Sequence, residues 1–178
     1  QLGSDIDGEA TGDQSGMRVA MDSDGSHVAI AAYGNDGTTG DNNDNRGHVR
    51  VYEYSGGWSQ VGNDIDGEAA RDHSGFSVAM DSDGSHVAIG AYLNDGTTGT
   101  INDNRGHVRV YEYSGSSWSQ VGSDIDGEAA GDRVYPVAID SDGSHVATGA
   151  RNNDGTTGDS DDNRGHVRVY EYSGSSWS

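Results

Sequence analysis

The chain has 178 residues, 30 of them Asp or Glu against 10 basic ones, every basic residue being Arg, for a formal net charge of -20 at pH 7. A surface this acidic repels phosphate backbones and anionic headgroups, whose binding depends on Lys and Arg releasing counterions, so nucleic acid is excluded as a partner. Cys is absent, which removes disulfides and thiolate metal sites, and no apolar run approaches the ~18 residues of a spanning helix, so no membrane insertion is expected.

Three nearly identical units of about 60 residues follow in tandem, at 1–59, 60–119 and 120–178. Each opens on Gln-Leu-Gly or Gln-Val-Gly and then Asp-Ile-Asp-Gly-Glu-Ala, and each closes on Gly-His-Val-Arg-Val-Tyr-Glu-Tyr-Ser-Gly and a Trp-Ser pair. Sparse apolar content with high charge is a signature of disorder. It is outweighed here by β-branched runs at fixed intervals, which disordered chains lack.

In the second copy the elements run in chain order as strands at 75–80, 86–92, 107–113 and 118–125. Asp83-Gly84 supplies the tight hairpin between the first two. A longer loop at 93–106 leads to the third strand, and Ser114-Gly-Ser-Ser117 turns into the fourth. No segment carries helical spacing. The class is therefore all-β: three four-stranded antiparallel meanders, each a β-propeller blade.

Rings of this kind need about four to eight blades, so three are expected to form part of a larger ring or a head-to-tail assembly. Residues 1–7 read as a fourth strand without its own blade, fit to complete the third copy's blade in a partner chain or neighbouring segment. Gln1, Leu2, Ile6 and Trp177 are the candidate assembly residues.

The units resemble the FG-GAP repeats of integrin α-chain propellers and many secreted microbial proteins. The likeness rests on Gly75-Phe-Ser-Val-Ala79 as the opening strand, Gly90-Ala-Tyr92 where Gly-Ala-Pro falls, and Gly106-His-Val-Arg-Val-Tyr111 as the third strand. It extends over the whole chain. Met17 replaces the Phe in the first copy, and Arg133-Val-Tyr-Pro136 replaces Gly-Phe-Ser in the third, where a distorted first strand is expected. The resemblance implies an extracellular or cell-surface location. It also implies calcium in a loop between the first two strands, but Asp22-Ser-Asp-Gly25 is too short for that loop.

Any Ca²⁺ would have to be held by the long loops, where oxygen-bearing side chains crowd around Gly turns. The candidate ligands are Asp36, Asp41 and Asp44, Asp95 and Asp103, and Asp154, Asp159 and Asp162; Thr100 and Ile101 weaken the second loop. The alternative is that Asp, Asn and Gly serve the turns themselves. No other cofactor is called for. Asp5, Asp7, Glu9 and Asp13 form a second acidic set, read as turn acceptors with Asp13 receiving main-chain N–H groups or facing Arg46. The histidines at 27, 86 and 145 and those at 48, 107 and 166 begin neighbouring antiparallel strands, and so lie at opposite blade ends, unsuited to zinc.

Trp58, Trp118 and Trp177 are candidates for stacking on sugar rings, or for packing between blades. Catalysis is not expected, since the same residues recur in triplicate and those unique to one copy, Arg71, His73, Arg133 and Arg151, form no recognisable catalytic set. The sequence thus reads as a non-enzymatic extracellular scaffold built from copies of itself, including fibres. The alternative is a calcium-assisted adhesive module that binds extracellular protein or glycan.

Overall fold

A computed structural model describes residues 1–38, 43–96, 100–156 and 162–178. Asp-Gly turns and period-two apolar runs fold the chain into three antiparallel sheets, the first two of which take their outermost strand from the start of the following copy. In the first, β1 (Arg18–Met21), β2 (His27–Ala32) and β3 (His48–Tyr54) form a meander, and the fourth strand is split into β4 (Trp58–Gln60) and β5 (Ile65–Asp66), both paired to β3. The second sheet repeats this with β6 (Ser74–Met80), β7 (His86–Ala91), β8 (His107–Tyr113), β9 (Trp118–Gln120) and β10 (Ile125–Asp126). The third has β11 (Val134–Ile139), β12 (His145–Ala150) and β13 (His166–Glu171), and beyond them a single bridge between Tyr172 and Trp177.

One expected element is corrected: the fourth strand of the second copy is not continuous over 118–125. It breaks at 121–124 because the next blade's Trp177 lodges there. The Trp177 Nε1 donates to the Val121 carbonyl at 2.8 Å, and a Cβ on Gly122 would lie 2.9 Å from the indole. Trp118 does the same at Val61 and Gly62. The third copy's first strand is no more distorted than the second's. A register shift between Val134 and Val137 matches the one between Ser74 and Ser77, and it places Pro136 where no ladder bond is needed.

Alternation along the strands gives each blade two apolar faces, and successive blades close over them. Ala29, Ala31, Val49 and Val51 of the first blade meet Val87, Ile89 and Trp118 of the second. Ala88, Val108 and Val110 of the second meet Val146, Ala150 and Trp177 of the third. The core is therefore two seams. At the arc's ends the equivalent residues are bare: Val19 and Met21 are 61% and 57% exposed, and Val167 and Val169 are 73% and 67% exposed.

Candidate functional site

The strand alternation His-Val-Arg-Val-Tyr sends the valines into one seam and His107, Arg109 and Tyr111 toward the preceding blade. There they meet Glu68, from the connector after β5, and Asp124, from the break in the fourth strand. His107 Nδ1 lies 3.7 Å from Glu68 Oε2 and 3.8 Å from Asp124 Oδ2. The Arg109 guanidinium donates from Nε to Asp124 Oδ1 at 2.9 Å and from Nη2 to Oδ2 at 3.0 Å, and it also pairs with Glu68. Burial, reinforced by the adjacent Arg109 charge, pushes the His107 imidazole down to about 4, so it is neutral near pH 7. Burial acts to raise the Asp124 carboxyl, but the hydrogen bonds from Arg109 and Gln120 outweigh it and hold the group below its ordinary value.

The first copy repeats the arrangement with Glu9, His48, Arg50 and Asp64, and the third supplies Glu128, His166 and Arg168. In the second copy a cation placed between Glu68 and Asp124 would compete with the Arg109 guanidinium, which pairs with both.

A different constellation lies at the lead-in to the first strands, where the copies differ most. The same left-handed backbone position carries Gln14, His73 and Arg133, with φ of 55°, 54° and 54°. Such a conformation is strained for a residue with a side chain and gathers at functional sites. His73 sits between two tyrosines from successive blades, its ring 5.6 Å from Tyr33 and 5.6 Å from Tyr92. Phe76 joins both tyrosines at 5.4 Å and 4.2 Å, and Tyr135 of the third blade caps it at 5.1 Å. This half-buried aromatic ladder crosses all three blades. Arg18 lies over Phe76, its guanidinium carbon 5.7 Å from the ring centre.

The main chain of Tyr33 hydrogen-bonds the His73 imidazole, while Nδ1 is left without a partner. Burial moves the imidazole below its ordinary value, making it a neutral base at pH 7. Sequence reasoning noted His73 as unique and set it aside. Aligning the three copies and asking where they disagree would have pointed to it.

The loop carboxylates expected to take Ca²⁺ shape their own loops. Asp36, Asp95 and Asp154 accept the main-chain N–H of Asn45, Asn104 and Asn163 at 2.9 Å in each case. Asp44, Asp103 and Asp162 accept from Arg46, Arg105 and Arg164. Asp41 and Asp159 lie outside the described residues. Asp13 accepts from the Ala10 N–H and from the Asn35 amide rather than from Arg46.

Trp118 and Trp177 are buried against Tyr113 and Tyr172 in the seams. Trp58 packs on Tyr54 and donates to the Leu2 carbonyl, while Ile6 packs on the first blade and Gln1 holds Asp5 at 2.6 Å.

No family profile and no curated protein matches the sequence. Among solved structures, the chain is similar to a protein of Bacteroides uniformis described as a 6-phosphogluconolactonase, with a TM-score of 0.55 and 10% identity over 90% of this chain. It is also similar to one of Bacteroides fragilis with the same description, at a TM-score of 0.57 and 14% identity over 96%. The periplasmic gluconolactonase of Pseudomonas aeruginosa follows at 0.54 and 15% over 87%. The chain spans 38% of the length of each of the first two and 39% of the third. The fold is that of β-propeller blades.

These likenesses correct two expectations together. The chain is not to be read as a non-enzymatic extracellular scaffold or adhesive module, because the proteins that share its fold are named as lactonases. Repetition had been the ground for excluding an enzyme, yet each seam gathers different groups from two copies, and the ladder contains a His found in one copy only.

Proposed function

We propose that the chain forms blades of a hydrolase of the lactonase type, acting on a small polyhydroxylated lactone, with the aromatic ladder as its substrate surface. The observation that carries this reading is His73: a neutral imidazole whose Nδ1 is buried without a hydrogen-bond partner, held in a strained backbone between Tyr33 and Tyr92. The shared fold with proteins described as gluconolactonases supports it.

Aromatic faces stack on the apolar side of a sugar ring, and Arg18 beside Phe76 offers a positive charge to an anionic substituent. Once the surrounding rings part to admit a water to the buried Nδ1 of His73, that nitrogen takes a proton from it as the hydroxyl oxygen bonds to the lactone carbonyl carbon. The ring C–O bond then breaks, its oxygen takes the proton, and the product leaves as a hydroxy acid. General-base assistance of this kind contributes about 10²–10⁴-fold, and such hydrogen bonds commonly tighten only when substrate is bound.

Titration of acid released from glucono-δ-lactone and its 6-phosphate tests the reading. The unaltered chain should exceed the spontaneous rate, and His73→Asn, which tolerates the left-handed backbone, should lose at least ~100-fold. No acceleration by the unaltered chain, or an unchanged rate in the variant, overturns it.

A further inference from the structure

His48 opens β3, and strand alternation sends it, with Arg50 and Tyr52, to the face opposite Val49 and Val51. Pairing of β3 with β5 sets Asp66 directly across from His48, so their side chains leave the sheet on the same face. Asp64 enters from the break before β5, and Glu9 from the segment leading to β1. The sequence reads Glu9 as a turn acceptor, but the fold turns it toward the imidazole.

Three carboxylate oxygens stand around Nδ1 of His48: Glu9 Oε2 at 3.9 Å, Asp64 Oδ2 at 3.9 Å and Asp66 Oδ1 at 4.0 Å. All three are too far for a hydrogen bond. The His48 side chain is only 2% exposed, and its Nε2 is buried without a partner. Nδ1 of the equivalent His107 is likewise buried and unpartnered. Buried polar groups are as a rule hydrogen-bonded, so a ring aimed at three oxygens that it does not reach marks room for an atom between them.

Two of the carboxylates are anchored by their other oxygen. Glu9 Oε1 faces Arg50 at 3.5 Å, and Asp64 Oδ1 accepts from the Gln60 amide at 2.6 Å. Outer partners of this kind orient the ligands of a metal ion.

We propose that Glu9, His48, Asp64 and Asp66 bind a divalent transition-metal ion of the Zn²⁺ class through one nitrogen and three oxygens. The ligand atoms of Glu9, His48 and Asp64 all lie within 4.8 Å of one another. Atoms about 2.1 Å from a tetrahedral ion are about 3.4 Å apart. The approaches to Nδ1 must therefore shorten by about half an ångström, which rotation of the partly exposed carboxylates supplies. Three carboxylates against Arg50 leave two formal negative charges, which a divalent ion cancels. The imidazole donor favours a transition ion over Ca²⁺, and a single His suffices.

The second copy is closed to such an ion. Arg109 donates to both oxygens of Asp124 and pairs with Glu68, whereas Arg50 donates to the Asp7 carbonyl and leaves Asp64 to Gln60. The site shares no residue with the aromatic ladder, and its test needs no catalysis.

That test is isothermal titration of the chelator-treated 178-residue chain with ZnCl₂, in excess CaCl₂ to fill weak acidic sites. One Zn²⁺ should bind per chain. Glu9→Gln and Asp64→Asn alter partly exposed side chains, so their circular dichroism should match the parent, while each weakens Zn²⁺ binding at least ~10-fold. Glu68→Gln should leave binding unchanged. No Zn²⁺ binding in the presence of Ca²⁺, several equivalent ions per chain, binding that either Glu9→Gln or Asp64→Asn leaves unchanged, or binding lost with Glu68→Gln overturns the proposal.

Discussion

His107 is neutral at pH 7 because it is buried beside the Arg109 cation, and this makes the fold acid-sensitive in a definite window. Its folded value, about 4, lies below the ordinary 6.5, so between these two values the unfolded chain binds the proton that the folded chain refuses. Stability therefore falls as pH drops from 6.5 to 4 and is level above that range. Burial lowers the His73 imidazole as well, with the same sign. The exposed His145, raised by its hydrogen bond to Asp140, works the opposite way, its contribution fading as pH rises through its folded value.

Urea unfolding of the parent and His107→Asn at several pH values isolates the effect. The parent should lose on the order of 2 kcal/mol more than the variant between pH 6.5 and 4. Parallel curves would remove the assignment. The sequence separated the two histidine sets correctly, since His27 lies on Asp22 at one blade end and His48 near Glu9 at the other. It did not reveal that Glu68 and Asp124 converge on His107, because the connector and the strand break that carry them are set by packing against the next blade.

At the scale of elements, the seams depend on backbone approaching backbone. Gly106, with φ of 72°, lies where a Cβ would sit 2.2 Å from the Val134 carbonyl oxygen and 2.5 Å from its nitrogen. Gly106→Ala must both strain the left-handed backbone and part the long loop of one blade from the first strand of the next. It should cost about 2–4 kcal/mol. Gly115, with φ of 87° but open space around it, should cost only about 1 kcal/mol when changed to Ala. Equal losses in thermal or urea unfolding would show that strain, not approach, decides. Strand order and hairpins were legible because Asp-Gly turns and alternation are local signals. The split fourth strand was not, because its cause, Trp177, lies 56 residues from Val121.

For the whole molecule, the repeat announced an open arc of propeller blades, and the structure bears out the all-β class and the blades. What repetition concealed was difference: one position bearing Gln14, His73 and Arg133 distinguishes otherwise equivalent blades. The net charge of -20 acts at this scale too. Acidic groups far outnumber the arginines that could pair with them, so compaction brings like charges together, and long-range repulsion opposes the fold. Screening shortens the range of that repulsion from about 30 Å at 0.01 M salt to about 8 Å at 0.15 M. The seam pair of Arg109 with Asp124 is half-buried and screened less than the exposed carboxylates around it. Salt should therefore relieve repulsion more than it weakens attraction. At fixed protein concentration, raising NaCl over this interval should stabilise the fold by about 1–2 kcal/mol, read as a higher unfolding midpoint. A midpoint that falls with salt would mean that the seam ion pairs, rather than the apolar faces, dominate the hold between blades.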